Sequence, residues 1–197
     1  MGHDDGKRGE ILAAAGMVFG QYGIRKTTMG DILQAAGVAR ATLYKYFPSK
    51  EDVFAAVLRR ELEDILECME QAVADAETTR GKLRAAIVTH TRMVRQKVNT
   101  YRVTMKLLAE IMPLPNEHAS TMAAELQRIF ARILEDGVEA GEIAVKDIEL
   151  TSLTLVYALK GIFMGAAIEM WTENRDEIVD SLLDLLMDGM RPREEPA

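Results

Sequence analysis

Cysteine is almost missing from this chain: Cys68 stands alone among 197 residues, so no disulfide can form within it. The thiol falls on an apolar stripe between Leu66 and Met69, where an inert buried side chain is expected rather than a redox switch. Proline is scarce too, at 5, and alternating β-branched runs are few, which turns the reading from sheets to helices. The opening segment MGHDDGKRGE lacks the apolar stretch of a secretory signal, so the expected location is the cytoplasm. Catalytic arrangements are also missing. No nucleophile stands beside a base, no glycine-rich loop is built to cradle phosphate, and carboxylates such as Glu173 and Asp176 read as helix-start charges, so an enzyme is not expected. With no second His or Cys at ligand spacing, no metal is expected, and no other cofactor.

What is present is the composition of an ordinary globular chain, 48% hydrophobic and 28% charged. Low-complexity tracts and internal repeats do not occur, and the length suits one domain or a small module fused to a larger one. The net charge of -7 opposes binding to a polyanion, but its distribution does not. Up to residue 50, seven basic side chains (Lys7, Arg8, Arg25, Lys26, Arg40, Lys45, Lys50) outnumber four acidic ones (Asp4, Asp5, Glu10, Asp31) by three, which leaves -10 for the remainder. A basic head on an acidic body presents one face to nucleic acid and repels it with the other.

The apolar spacing of Ile11, Leu12, Ala15, Val18, Phe19 and Tyr22 predicts an amphipathic helix over 7–22, ended by Gly23. Thr28 with Asp31 three residues later is the signature of a capping box, and the second helix it opens runs to Gly37. Gly37-Val38 then makes a tight turn, and ARATLYKYF leaves room for about two helical turns before Pro48. Two short helices about such a turn form a helix-turn-helix pattern. Ser49 with Asp52 repeats the cap and starts a long helix reaching Ala76 to Thr79. Further helices are predicted over 80–98, 100–112, 118–140, 147–171 and 174–190, with breaks at Pro113, Pro115 and Gly141, and Asn174 with Glu177 capping the last. The expected fold class is all-α with nine helices, divided into a helix-turn-helix module over 1–50 and a helical body over 51–197.

Thr151 to Trp171 is apolar all round, with only Lys160 and Glu169 charged. A membrane span would set that lysine near its middle at a cost of roughly 2.5–3.5 kcal/mol, so a helix covered on several sides in a bundle is the better reading.

The stretch FGQYGIRKTTMGDILQAAGVARATLYKYFPSKEDV, Phe19 to Val53, closely resembles the N-terminal module of the TetR family of transcriptional regulators. Its carrying elements are FGQYG, the TT before the second helix, AAGVA through the turn and TLYKYFPSKEDV beyond it. The resemblance implies that the third helix enters the major groove. Arg40 then suits a bidentate bond to guanine, and Thr42 a phosphate or base, its methyl meeting thymine beside Ala41. Tyr44, Lys45, Tyr46 and Lys50 suit phosphates, and Thr28 sets the second helix's amides beside one. Plainer roles stay open: Tyr46 beside the inward face of Leu43 and Phe47, Lys45 in solvent, Thr28 as a cap alone. Three positions depart from the family pattern. Ala39 replaces a capping serine or threonine, Ala41 a common glycine, and Gly30 a larger side chain that often reaches DNA.

For the body, the resemblance implies a dimer interface on the last two helices and a pocket among those before. Leu153, Val156, Ile162, Ile178, Leu182, Leu183 and Leu186 are the interface candidates. Pocket candidates are His90, Met93, Arg102, Met105, Leu108, Met112, Met122, Phe130, Tyr157, Phe163 and Trp171; the 12 methionines suit a plastic apolar lining, although ordinary core is the alternative for each. Between Thr78 and Ala109 no acid occurs, whereas Arg80, Lys82, Arg84, Arg92, Arg95, Lys97, Arg102 and Lys106 do. That stretch is either a solvated face or the seat of an anionic effector with an apolar tail, such as an acyl thioester or carboxylate. The expected function is therefore a homodimeric repressor of a palindromic operator, released by a small molecule. A transcriptional activator, or a helical interaction protein on the same scaffold, is the alternative.

Overall fold

In the computed structural model, residues 2–101, 117–167 and 175–192 are described. Among these residues every regular element is a helix: α1 (Gly2–Tyr22), α2 (Met29–Ala36), α3 (Arg40–Tyr46), α4 (Lys50–Ala74), α5 (Thr79–Tyr101), α6 (Glu117–Glu139), α7 (Ile148–Ala167) and α8 (Arg175–Gly189). The all-α expectation holds. The helix predicted over 100–112 lies, past Tyr101, outside the described residues, as does the cap proposed at Asn174. α1 begins well before residue 7, because the apolar spacing that predicted it carries no information about the polar turns ahead of Ile11.

The chain divides into two compact units, Met1–Glu63 with Gln96–Pro113, and Asp64–Arg95 with Leu114–Ala197. In the first, Ile11, Leu12, Ala15 and Phe19 of α1 meet Ile32, Leu43, Phe47 and, from α4, Val53, Phe54 and Val57. Phe19 and Phe54 pack edge to face, with centroids 5.1 Å apart at 80°. Each of these large side chains contributes roughly 1.5–3 kcal/mol by leaving water. Packing thus draws the first turns of α4 into the head, beyond the functional division drawn at residue 50. Gly23 and Gly37 end α1 and α2 at φ 75 and φ 60, where a Cβ would be strained.

In the second unit, Leu126, Ile129, Phe130, Ile133 and Leu134 of α6 form its buried stripe, with Leu155, Val156 and Leu159 of α7 and Val179 and Leu183 of α8 also enclosed. The Thr79 N–H donates to Glu142 Oε2 at 2.7 Å, and the Ala144 N–H to the Met190 carbonyl at 2.7 Å, so the link between α6 and α7 is fastened to α5 and to the end of α8. Arg84 grips Asp180 through two bonds of 2.7 and 3.2 Å, Arg80 reaches Asp184 at 2.7 Å, and Lys82 reaches Asp136 at 2.8 Å. Such part-exposed pairs are each worth about 0.2–1 kcal/mol and fix helix register more than they stabilise.

Cys68 is exposed, contrary to its expected burial. The inward stripe of α4 runs through Ile65, Met69 and Val73, and Cys68 falls at its rim. No described helix is long and apolar enough to cross a membrane.

Candidate nucleic-acid interface

The second helix is opened by the predicted capping box. Asp31 N–H donates to Thr28 Oγ1 at 3.2 Å, while the Thr28 N–H and hydroxyl donate to Asp31 Oδ2 at 2.8 and 2.7 Å. Those bonds from Thr28 hold the Asp31 carboxyl below its ordinary range. At the far end the Gly37 N–H returns to Leu33 O at 3.1 Å, closing the turn.

Ala39 occupies the cap position of α3 without a side-chain bond, as its lack of an acceptor dictates. Its carbonyl instead receives both the Thr42 and Leu43 N–H groups, at 2.9 and 3.1 Å. Leu43 is the one fully buried member of α3, and Phe47 behind it is buried as well. With the helix held by these two, Arg40, Ala41, Tyr44 and Lys45 are exposed and Thr42 and Tyr46 half-buried. Cations lie over the rings: Arg40 is 5.3 Å from the Tyr44 centroid, and Lys45 is 5.2 Å from Tyr46. Tyr46 also packs against the head core, so its plainer role is real. Arg8, read from sequence only as charge, sits 5.4 Å above the Phe47 ring.

Ser49 and Asp52 repeat the reciprocal cap, the Ser49 N–H donating to Asp52 Oδ2 at 3.0 Å and the Asp52 N–H to Ser49 Oγ at 3.1 Å. This starts α4 at Lys50, half-buried in its first turn. An exposed, basic, hydroxyl-bearing helix face, followed by amides at a second helix start, is suited to a DNA groove and its flanking phosphates.

Comparison with known proteins agrees with this geometry. Residues 11–57 match the bacterial regulatory proteins of the tetR family, and residues 76–190 a tetracyclin repressor-like C-terminal domain. The chain belongs to the TetR family. It is a DNA-binding transcriptional regulator of that type. Its relatives include the HTH-type transcriptional repressor KstR2 of Rhodococcus jostii, 28% identical over 94% of this chain and 91% of that protein. The fatty acid metabolism regulator protein of Bacillus subtilis is 25% identical, over 92% and 94%. Among solved structures, FadR from Bacillus subtilis in complex with stearoyl-CoA has the same fold, with a TM-score of 0.68 at 22% identity over 92% of this chain and 98% of that one.

In this TetR regulator the predicted body residues fare unevenly. His90 is buried, and burial pushes its pKa down to about 4. Phe130 is fully enclosed and Met93 half-buried. Tyr157 is 64% exposed, with Lys160 over its ring. Helical periodicity alone did not tell the covered face of α7 from its open one. Arg102, Met105, Leu108, Met112 and Trp171 lie outside the described residues, as do the side chains of Met122, Ile162 and Phe163.

Of the interface candidates, Val156 and Leu183 are at 1% and 0% exposure within the single chain and have no surface to give a partner. Their apolar character serves the body's own core. Leu153, Leu182 and Leu186 are half-buried and Ile178 is exposed. Leu150 and Leu185, which were not among the candidates, are exposed at 61% and 71%, seven residues before Tyr157 and after Ile178.

Within the acid-free stretch, Arg80, Lys82 and Arg84 are engaged with Asp184, Asp136 and Asp180, and Lys97 with Glu61. Arg92 and Arg95 are exposed and make no ion pair among the described residues. Arg102 and Lys106 lie outside them.

Proposed function

We propose that this regulator is a homodimeric repressor whose two α3 helices read a palindromic operator and which an acyl thioester releases. The observation that carries the DNA half is the outward face of α3, with Arg40 and Tyr44 stacked above a single buried leucine. Arg40 reads a guanine, while Ala41 and Thr42 meet neighbouring base edges. Tyr44, Lys45, Tyr46 and Lys50 clamp the backbone, and the Thr28-capped end of α2 meets a further phosphate. One short helix reads too few bases, so two copies about one DNA turn apart are required. The open faces of α7 and α8, bearing Leu150, Tyr157, Ile178 and Leu185, supply the surface for pairing. Residues 1–50 then serve DNA and 51–197 serve ligand and dimer, in the cytoplasm where the operator lies.

Similarity to a fatty acid metabolism regulator, and to a FadR solved with stearoyl-CoA, supports the effector class. So does a body with a large apolar core. Arg92 and Arg95 are the described basic side chains left for the anionic end. α4 runs unbroken from Lys50 to Ala74, and the effector acts by changing its tilt. The differential affinity of the effector for two recognition-helix spacings is the coupling, commonly about 1–3 kcal/mol.

The test is salt-dependent binding to a palindrome from the protein's own promoter, with stearoyl-CoA titrated in. Loss of operator affinity on saturation is expected. Saturation that leaves the affinity unchanged would overturn release by this ligand, and absence of sequence-specific binding would overturn the regulator itself.

A further inference from the structure

Two polar residues lie side by side in the buried middle of α5, and they fare differently. The Thr91 hydroxyl donates to the Ile87 carbonyl at 2.9 Å. His90, 7% exposed, has no hydrogen-bond partner for its Nδ1 among the described residues. Buried side-chain polar atoms are nearly always paired in native chains, and an orphaned one asks what normally covers it.

The surroundings restrict the answer. Ala86, Ile87 and Thr89 are buried beside His90, so the helix is walled on several sides here. Arg92 and Arg95 are exposed, and at two and five residues along they lie about 200° and 140° around the helix from His90. The charged part of a ligand held by those guanidiniums is therefore not what reaches the ring. Burial keeps the imidazole neutral, its pKa pushed down to about 4, so it offers no charge to a phosphate or carboxylate. A hydrocarbon tail, for its part, has no atom to offer it. The missing partner is neutral, polar and attached to an apolar chain.

We infer that His90 is a ligand-binding residue that donates a hydrogen bond from Nδ1 to the thioester carbonyl of the effector. The inference rests on the acyl-thioester reading proposed above. It requires the tautomer with its proton on Nδ1, which a carbonyl acceptor selects. An effector bound this way is recognised at the junction between its polar and apolar parts, and a saturated chain without the carbonyl leaves the ring unpaired.

Calorimetry on the full chain with stearoyl-CoA and with S-octadecyl-CoA, the thioether lacking the carbonyl, tests this. Wild type should prefer the thioester by about tenfold, the scale of one buried hydrogen bond. His90→Leu should bring the two ligands to near equality, chiefly by weakening the thioester, and His90→Asn should keep part of the preference. Equal binding by wild type, or a preference that survives in His90→Leu, overturns the role of His90 while leaving the effector class standing. Binding of neither ligand by wild type overturns the effector class, and this inference with it. If His90→Leu fails to fold, the wild-type comparison and His90→Asn still decide.

Discussion

The Arg40 guanidinium lies 5.3 Å from the centre of the Tyr44 ring, one helical turn further along α3. Stacking of this kind restricts a long side chain that would otherwise lose its freedom on meeting DNA. Arg40→Ala should therefore relax discrimination at one base pair of each half-site by about 1–3 kcal/mol. Binding to the operator and to its single-base variants measures it. Equal loss at every sequence would refute a base-reading role.

Lys50 should behave differently, since a phosphate contact carries no sequence information. Lys50→Ala is expected to weaken all duplexes alike and to reduce the slope of log affinity against log salt by about 1. An unchanged slope would place Lys50 away from the backbone.

Gly137 is a helical glycine that alanine should not improve. A Cβ there would stand 2.4 Å from Thr79 Oγ1 and 2.8 Å from its Cγ2. Helix propensity favours alanine by about 1 kcal/mol, but overpacking costs roughly 1–3 kcal/mol, so Gly137→Ala should lower the melting temperature. Gly9→Ala, with nothing within 4 Å, should raise it. Thermal unfolding of both variants checks the pair, and stabilisation by Gly137→Ala would mean that the Thr79 contact yields easily.

His90 sets a pH window. The unfolded chain protonates it near its ordinary 6.5, the folded chain only at about 4. Across that interval the unfolded state binds more protons, so stability falls as acid is added and levels off below the folded value. The contribution is on the order of 3 kcal/mol. Denaturant melts should show wild type losing stability relative to His90→Asn as pH drops from 6.5 to 4; parallel profiles would show that the ring is hydrated when folded.

Leu185 and Leu183 separate assembly from folding. Leu185, 71% exposed, should become a dimer-breaking site as Leu185→Glu with the helical fold retained, read by sedimentation. Leu183, at 0%, should instead cost about 2–5 kcal/mol as Leu183→Ala. An unaltered Leu185→Glu dimer would move the interface elsewhere.

The DNA-facing half was legible because its devices are local. Thr28 with Asp31, and Ser49 with Asp52, act over three residues, and Gly37 supplies its own left-handed turn, so each can be read without knowing the fold. The missing cap at Ala39 was equally plain. The body was harder, because an all-round apolar helix such as α7 does not announce which side a neighbour covers. The pattern therefore does not show that Tyr157 is open, that Val156 is enclosed or that Cys68 lies at the rim of its stripe.

Sequence by itself determined the described helices, the caps at Thr28 and Ser49, the basic head and the outward residues of α3, since helical periodicity and short-range hydrogen bonds are properties of neighbours in the chain. Tertiary structure decided the rest. It chose which carboxylates engage Arg80, Lys82 and Arg84, at separations of 54 to 104 residues, and it fastened Thr79 to Glu142. It also left Nδ1 of His90 buried without a described partner. Those outcomes depend on which surfaces meet, and burial is a property of the packed chain that no local pattern contains.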